Sequence, residues 1–444
     1  MHPGFYIFTG NRMESLAARL AEVLRFGAHA DSSNSLQPQV VMVQSKGMQR
    51  WVSMTIARLN SICANIDFPF PNALLEELYT QMVGPLPEHR PFEAHVLTFR
   101  ILNILPDLLK RPEFGPLNRY LADQYRPLKL YQLAHKIADT FDQYVVYRPD
   151  VLSAWENGRK ISSDNPNTAW QAALWSELVR ETDSPCRSDL QKTLVQRLSD
   201  PKTPLDMQRL PAGLCAFGIS YLPPFHLEVL QALAGRIPVY LFLLNPCRGY
   251  WFDIVSDHRM IRMRATLKGR SIPIEQLHLE RGNRLLASLG HLGRQFFDRV
   301  YQFQAEFSDE FADNCTDTLL GRIQQDILDL VDRSPQSMDN NAPPVRADGT
   351  LRIHSCHSPM REVEVLHDQL LDLLESQPDL QPRDILVMTP NIGLYSPYIH
   401  AVFGAGDESR PKLPFTVADQ NISCESSIIE AFIGLLDLVQ GRFE

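Results

Sequence analysis

Three sets of residues in this sequence have the types and spacing to do chemistry. The first is the loop Thr9-Gly10-Asn11-Arg12-Met13-Glu14-Ser15, which follows the apolar run Phe5–Phe8. In nucleotide-hydrolysing enzymes a first strand feeds the loop G-x-x-x-x-G-K-[ST], whose backbone amides and Lys hold the phosphates. Here the loop has one Gly and no Lys, and Glu14 stands where a phosphate would be repelled. The position is that of a phosphate cradle, and the cradle's chemistry is missing. The second set is Asp139 and Asp142, whose three-residue spacing puts both on one helix face. Paired carboxylates suggest metal-assisted hydrolysis, but no third acidic or histidine ligand stands nearby in a defined motif. A solvated helix face, or an Asp142–Arg148 pair, is the plainer reading. The third set is His354, Cys356 and His357. A zinc site needs four ligands, or three and a water, and no companion cluster is evident, so a structural role is favoured.

Weaker signals lie elsewhere. Gln44 and Lys46 sit on a polar loop after a strand, where surface loops carry such residues with or without function. The cluster Tyr250-Trp251-Phe252, after Asn245-Pro-Cys-Arg-Gly249, either stacks bases or packs at a domain seam, and packing is favoured. Met42 and Met48 read as packing residues.

The elements that must position these groups recur in the chain. Phe5–Phe8 leads through a polar loop into an amphipathic stretch to Leu24, and Leu351-Arg-Ile-His354 leads through Ser355-Cys-His-Ser-Pro359 into a helix to Leu374. A second apolar run follows each, Val40–Val43 and Ile385–Met388, then a polar loop and another helix. Two strand-loop-helix-strand-loop-helix units are how a parallel sheet is wound, and two such halves suggest the paired α/β motor domains of a helicase-like ATPase. Between them, Leu214–Phe217 and Val239–Leu244 read as buried strands separated by a helix after Pro224. The second of these ends in Asn245-Pro246, without the paired acidic residues that bind a nucleotide's metal.

The organisation predicted is a discontinuous helicase-like α/β domain (1–75 plus 206–330), an inserted helical domain (76–205), a polar, Pro-rich linker (331–350), and the start of a second α/β domain (351–444). The insert shows helical spacing at Leu74, Leu75 and Leu78, at Leu97, Ile101 and Leu105, and at Leu130, Leu133, Ile137, Phe141 and Tyr144. The second α/β unit has barely begun where the periodic stretch 425–441 stops at Arg442-Phe443-Glu444, which predicts a fragment of a longer polypeptide.

Composition limits the function classes. With 444 residues the chain holds several domains, and 44% hydrophobic with 21% charged residues is ordinary for a globular protein. A net charge of −9 argues against a uniformly basic coat for nucleic acid but leaves room for a local basic channel. The seven cysteines (Cys63, Cys186, Cys215, Cys247, Cys315, Cys356 and Cys424) are scattered and never in C-x-x-C spacing, which fits a reducing cytoplasm without a zinc ribbon or iron–sulfur cluster. No apolar run approaches the ~20 residues that a membrane span needs.

Several longer motifs point to one family. Val43-Gln-Ser-Lys-Gly-Met48 with Trp51, Ala64-Asn-Ile-Asp-Phe-Pro69, Phe141-Asp-Gln-Tyr-Val-Val-Tyr-Arg-Pro-Asp150, Gly218-Ile-Ser-Tyr-Leu-Pro-Pro224, Leu244-Asn-Pro-Cys-Arg248 and His357-Ser-Pro-Met-Arg-Glu-Val-Glu-Val-Leu-His-Asp368 occur in this order. Together they resemble the RecC family, the gamma subunits of exodeoxyribonuclease V, over essentially the whole chain. The resemblance implies the N-terminal part of a much longer subunit, with a superfamily 1 helicase-like fold that lacks ATPase motifs. It implies RecB-like and RecD-like partners that use ATP and Mg, no cofactor on this chain, and a cytoplasmic role on single-stranded DNA and duplex DNA ends. In that family the subunit splits the strands, channels the 3′ strand and recognises the Chi sequence during double-strand break repair by recombination. The family's strand-splitting pin and nuclease-like region would lie beyond residue 444.

The resemblance also carries individual positions. Gln44 matches a Chi-reading glutamine, Asp139 and Asp142 match two aspartates on one helix, and Arg187 matches an arginine through a looser alignment. Five channel positions depart from the pattern: Lys46 stands for threonine, Arg50 for glutamine, Phe70 for leucine, Glu76 for tryptophan and Thr140 for leucine. Lys46 and Arg50 add positive charge, which favours phosphate contact over neutral base readout and implies a different or weaker Chi preference. Two alternatives stay open beside a noncatalytic DNA-recognition subunit. One is an active ATP-dependent helicase or nuclease subunit of the AddB type, and the other is an interaction module that touches only protein.

Overall fold

The computed structural model describes residues 2–27, 38–85, 90–122, 126–159, 167–182, 187–200, 210–254, 282–333, 348–404, 413–418 and 427–438. The chain divides into two compact units, Met1–Arg346 and Ala347–Glu444.

The first unit is built on a six-stranded sheet in the order β3-β2-β4-β5-β1-β6, with every pair parallel. The strands are β1 (Gly4–Gly10), β2 (Gln39–Met42), β3 (Ile66–Asp67), β4 (Leu214–Phe217), β5 (Pro238–Leu244) and β6 (Glu306–Asp309). The β4 and β5 sequences are continuous apolar runs because parallel strands inside a sheet are covered on both faces. Period-two alternation then sorts the side chains. On one face Phe5, Ile7, Ala216, Leu241 and Leu243 pack with helices α3 (Pro71–Met82), α9 (Arg187–Ser199) and α10 (Pro224–Ala234). On the other Phe8, Val41, Val43, Phe217 and Phe242 pack under α1 (Met13–Gly27) and α2 (Lys46–Asn60).

Between β3 and β4 run the helices α4 (Ala94–Leu108), α5 (Gly115–Tyr120), α6 (Arg126–Tyr147), α7 (Pro149–Glu156) and α8 (Thr168–Arg180). They bury their own apolar stripes, including Ile101, Leu105, Phe114, Phe141, Leu152 and Trp175. α3 and α9, which flank them in the chain, pack against the sheet instead. Trp251 and Phe252 are buried in the sheet core while Tyr250 is exposed, so most of that aromatic cluster is packing. Met42 is buried as well.

The second unit contains the helices Pro359–Ser376, Ile392–Gly404 and Ser427–Leu438. Ser358 caps the first of these through Oγ, with Pro359 at the first helical position. The strands expected at Leu351–His354 and Ile385–Met388 do not form among the described residues: both segments are non-helical and share no ladder. Ile353 and Met388 are 90% and 84% exposed. A lone pair of parallel strands has too little burial to hold its ladder, so an apolar sequence pattern alone does not make one here. The internal echo therefore survives in the helices and not as a second described sheet. The expected linker falls mostly on residues 334–347, outside the described residues, as do the last three residues of the chain.

Candidate nucleic-acid interface

In an open parallel sheet, ligands bind beyond the carboxyl ends of the strands. Two loops at that end behave differently. The first follows β1, the position from which a phosphate-binding loop runs in nucleotide-hydrolysing parallel-sheet enzymes. Its polar groups are already occupied by the segment after β6. Glu310 N donates to Thr9 O at 2.7 Å, and Thr9 Oγ1 donates to Asp309 Oδ1 at 3.0 Å. Asn11 makes a reciprocal pair with Ala312, donating from Nδ2 to its carbonyl at 2.8 Å and accepting its N–H at 2.9 Å. Arg12 donates to the Asp313 carbonyl at 2.9 Å. A Cβ on Gly10 would lie 2.7 Å from Glu310 O, so the two backbones touch. Arg248, after β5, pairs with Asp313 and, at 3.1 Å, with Asp329. That contact, chiefly the hydrogen bond from Arg248, holds the Asp313 carboxyl below its ordinary value. Asn245, at the end of β5, is buried; its N–H donates to Gly10 O at 2.9 Å and its Oδ1 accepts from Trp251 Nε1 at 3.0 Å.

The second loop, after β2, is open. Ser45 accepts from Met48 N and caps α2, which sets Gln44, Lys46 and Arg50 on the surface, the last two one helical turn apart. Gln44 Nε2 donates to the Tyr221 carbonyl at 2.9 Å, in the loop between β4 and α10. Val43 N donates to Pro69 O at 3.2 Å, which places Phe70, the exposed N-cap of α3, beside the same loop. Tyr221 meets Tyr147 of α6 with ring centroids 6.2 Å apart. Burial above all, and then the Tyr147 phenol, push the Tyr221 phenol up, with Arg299 opposing.

Through Tyr147 the loop reaches the helix that carries Asp139, Thr140 and Asp142. Asp139 and Asp142 share a half-exposed face of α6, with Asp139 Oδ2 3.8 Å from His135 Nε2. Thr140 lies off that face and donates to the Lys136 carbonyl of its own helix at 2.8 Å. Glu76, on α3, accepts from Arg90 at 3.0 Å. Arg187 opens α9, and its side chain lies outside the description. Among the described residues no three His, Cys, Asp or Glu side chains converge as a metal site would require. Gln44, Lys46, Arg50 and Phe70 thus share one end of the sheet, linked to α6 through Tyr221 and Tyr147. Those two tyrosines carry no spacing signal; only the fold brings them to Gln44.

Residues 5–330 match the model of the RecC N-terminal domain. The chain belongs to the RecC family. It is 36% identical over 468 residues to the RecBCD enzyme subunit RecC of Escherichia coli K12, covering 98% of this chain and 41% of that relative. The RecC subunit of Haemophilus influenzae is 32% identical over 498 residues, covering 99% and 43%. That of Mycolicibacterium smegmatis is 32% identical over 428 residues, covering 91% and 36%. The chain spans about two-fifths of the length of these curated relatives. All three are RecC subunits, so the AddB-type alternative finds no support in them. Among the described residues no helix is long and apolar enough to cross a membrane.

Proposed function

We propose that this chain is the N-terminal part of a noncatalytic RecC-type subunit that holds and reads DNA inside an ATP-driven helicase and nuclease. Its partners are RecB-like and RecD-like subunits, its substrates single-stranded DNA and duplex ends, and its setting double-strand break repair by recombination in the cytoplasm. ATP and Mg are used by the partners, and this chain takes no cofactor. The α/β scaffold is read as a helicase-like domain whose nucleotide site has been given up.

The observation that carries this reading is the contrast between the two loops. The β1 loop has its donors and backbone engaged by Asp309–Asp313, an acidic segment that a nucleotide's phosphates would have to displace against like charge. The β2 loop leaves Gln44, Lys46, Arg50 and Phe70 at the surface. Gln44, Asp139 and Asp142 supply hydrogen-bonding groups suited to base edges, and Lys46 and Arg50 supply charges suited to phosphate. Glu76 is engaged by Arg90 and Thr140 by its own helix, so neither is presented in the way that the tryptophan and leucine of the family pattern would be. This supports a changed Chi preference.

The test is single-strand binding by the subunit assembled with its partners, over a salt series, together with nucleotide binding by the subunit alone. Salt-sensitive binding by the complex and no ATP affinity in the subunit are expected. ATP binding or hydrolysis by the subunit would overturn the reading.

A further inference from the structure

Helix α6 carries, on the face it shares with Asp139 and Asp142, aromatic side chains that the helical core does not use. Tyr131 and His135 stand two turns and one turn before Asp139, at spacings of four residues, which stack on a helix surface. Their rings are nearly parallel, 5° apart in plane, with centroids separated by 6.4 Å. Phe99, on α4, extends the row with its ring centroid 6.4 Å from that of Tyr131 and its plane tilted by 50°. Phe99 and Tyr131 are 62% and 44% exposed and the His135 side chain is 58% exposed, whereas the core of these two helices is made by Leu97, Ile101, Leu105, Ala134, Ile137 and Phe141. The row lies outside that core, and a contiguous exposed apolar patch marks a contact surface.

His135 has a polar neighbour at each end. Nδ1 lies 3.5 Å from Thr98 Oγ1 and Nε2 lies 3.8 Å from Asp139 Oδ2, so the ring sits between the hydroxyl and the carboxylate. The row therefore runs Phe99, Tyr131, His135, Asp139: a tilted ring, then two parallel rings, leading to a hydrogen-bond acceptor.

We infer that Phe99, Tyr131 and His135 form a stacking platform for unpaired bases of a single DNA strand on its way to Asp139. The inference rests on the proposed function. Rings at regular spacing stack any base, because every base has a π face. Asp139 and Asp142 repel phosphates and accept from exocyclic amino groups, so the strand lies with its bases toward α6 and its backbone toward solvent. Lys136, exposed beside the row, stands on the flank where that backbone would pass. The platform holds the strand without regard to sequence, and the carboxylate beyond it discriminates.

The test uses the full-length subunit assembled with its RecB-like and RecD-like partners, bound to single strands carrying 2-aminopurine at successive positions. Stacking quenches this base, so the wild-type complex shows a run of two or three quenched positions. The double variant Phe99→Leu with Tyr131→Leu, which keeps apolar volume and removes both rings, restores fluorescence by several-fold at those positions alone. Unchanged quenching in a complex that still binds the strand overturns the platform and leaves the proposed function standing. If the variant keeps its wild-type circular dichroism and melting temperature but no longer assembles on size exclusion, the surface holds a protein partner and the platform is likewise overturned. If the wild-type complex binds no single strand, the proposed function falls, and the platform with it.

Discussion

Gln44 is oriented by Tyr221, a residue 177 positions further along the chain: its Nε2 donates to the Tyr221 main-chain carbonyl at 2.9 Å. With one Nε2 hydrogen given to Tyr221, the amide keeps its Oε1 acceptor and a second N–H, and at a base edge the acceptor selects the amino groups of adenine, cytosine or guanine. On the proposed reading, Gln44→Ala in the assembled complex lowers discrimination between recognised and random oligonucleotides by about 1–3 kcal/mol, roughly 5- to 150-fold. Competition binding measures it. Equal discrimination in the variant would remove Gln44 from the reader.

Asn11 closes the β1 loop with two hydrogen bonds to the Ala312 backbone. Asn11→Ala leaves that N–H and carbonyl without their partner and is expected to cost about 1–3 kcal/mol, seen as a lower urea midpoint at unchanged slope. The same variant gains no measurable ATP affinity, because Gly10 and Glu310 still touch through their backbones.

The Arg248–Asp313 contact predicts an acid-sensitive loop. Hydrogen bonding from Arg248 holds the Asp313 carboxyl below its ordinary 3.8. A folded-state value below the unfolded one means that the contribution is complete above the unfolded value and is lost as pH falls through the folded one. Hydrogen exchange over residues 309–314 is therefore expected to quicken, relative to its intrinsic rate, only below about pH 4. In Asp313→Asn the segment exchanges faster at neutral pH, and the acid step shrinks. A wild-type step centred well above pH 5 would contradict the assignment.

Cysteine reactivity checks the sheet. Burial pushes the Cys215 thiol up to about 12, and burial foremost raises Cys247. Cys315 is exposed. Iodoacetamide at pH 8 is expected to label Cys315 in the native chain and to reach Cys215 and Cys247 only after unfolding, as read by peptide mass spectrometry. Native labelling of Cys215 would be incompatible with β4 lying between β2 and β5.

Much of the first sheet is legible in the sequence. The runs at Phe5, Val40, Leu214 and Val239 are strands because a parallel sheet covered on both faces demands continuous apolar segments. Edge strands are quieter. Glu306–Asp309 is mostly exposed, so β6 left no apolar signature, and the segment that fills the β1 loop went unread with it. Leu351–His354 and Ile385–Met388 show the opposite error, since they carry the pattern of a strand without a ladder to join. At the candidate interface, the composition of the Gln44 loop is visible in sequence, but the Tyr221 carbonyl that orients it is a backbone group supplied by another crossover. Phe99, Tyr131 and His135 are not legible as a group in the sequence because Phe99 lies on a different helix from the other two, and helical periodicity marks the buried stripe more strongly than the bare one.

The touching backbones of Gly10 and Glu310 also bear on ancestry. On the proposed reading, a missing side chain could return by one substitution, but the Glu310 main chain lies against Gly10, where a Cβ has no room. Restoring a lysine and a second glycine to the β1 loop would leave Glu310 O where it is, and remodelling the segment after β6 alone would leave a loop without its lysine. On that reading, regaining a nucleotide site would take a side-chain change and a main-chain change together.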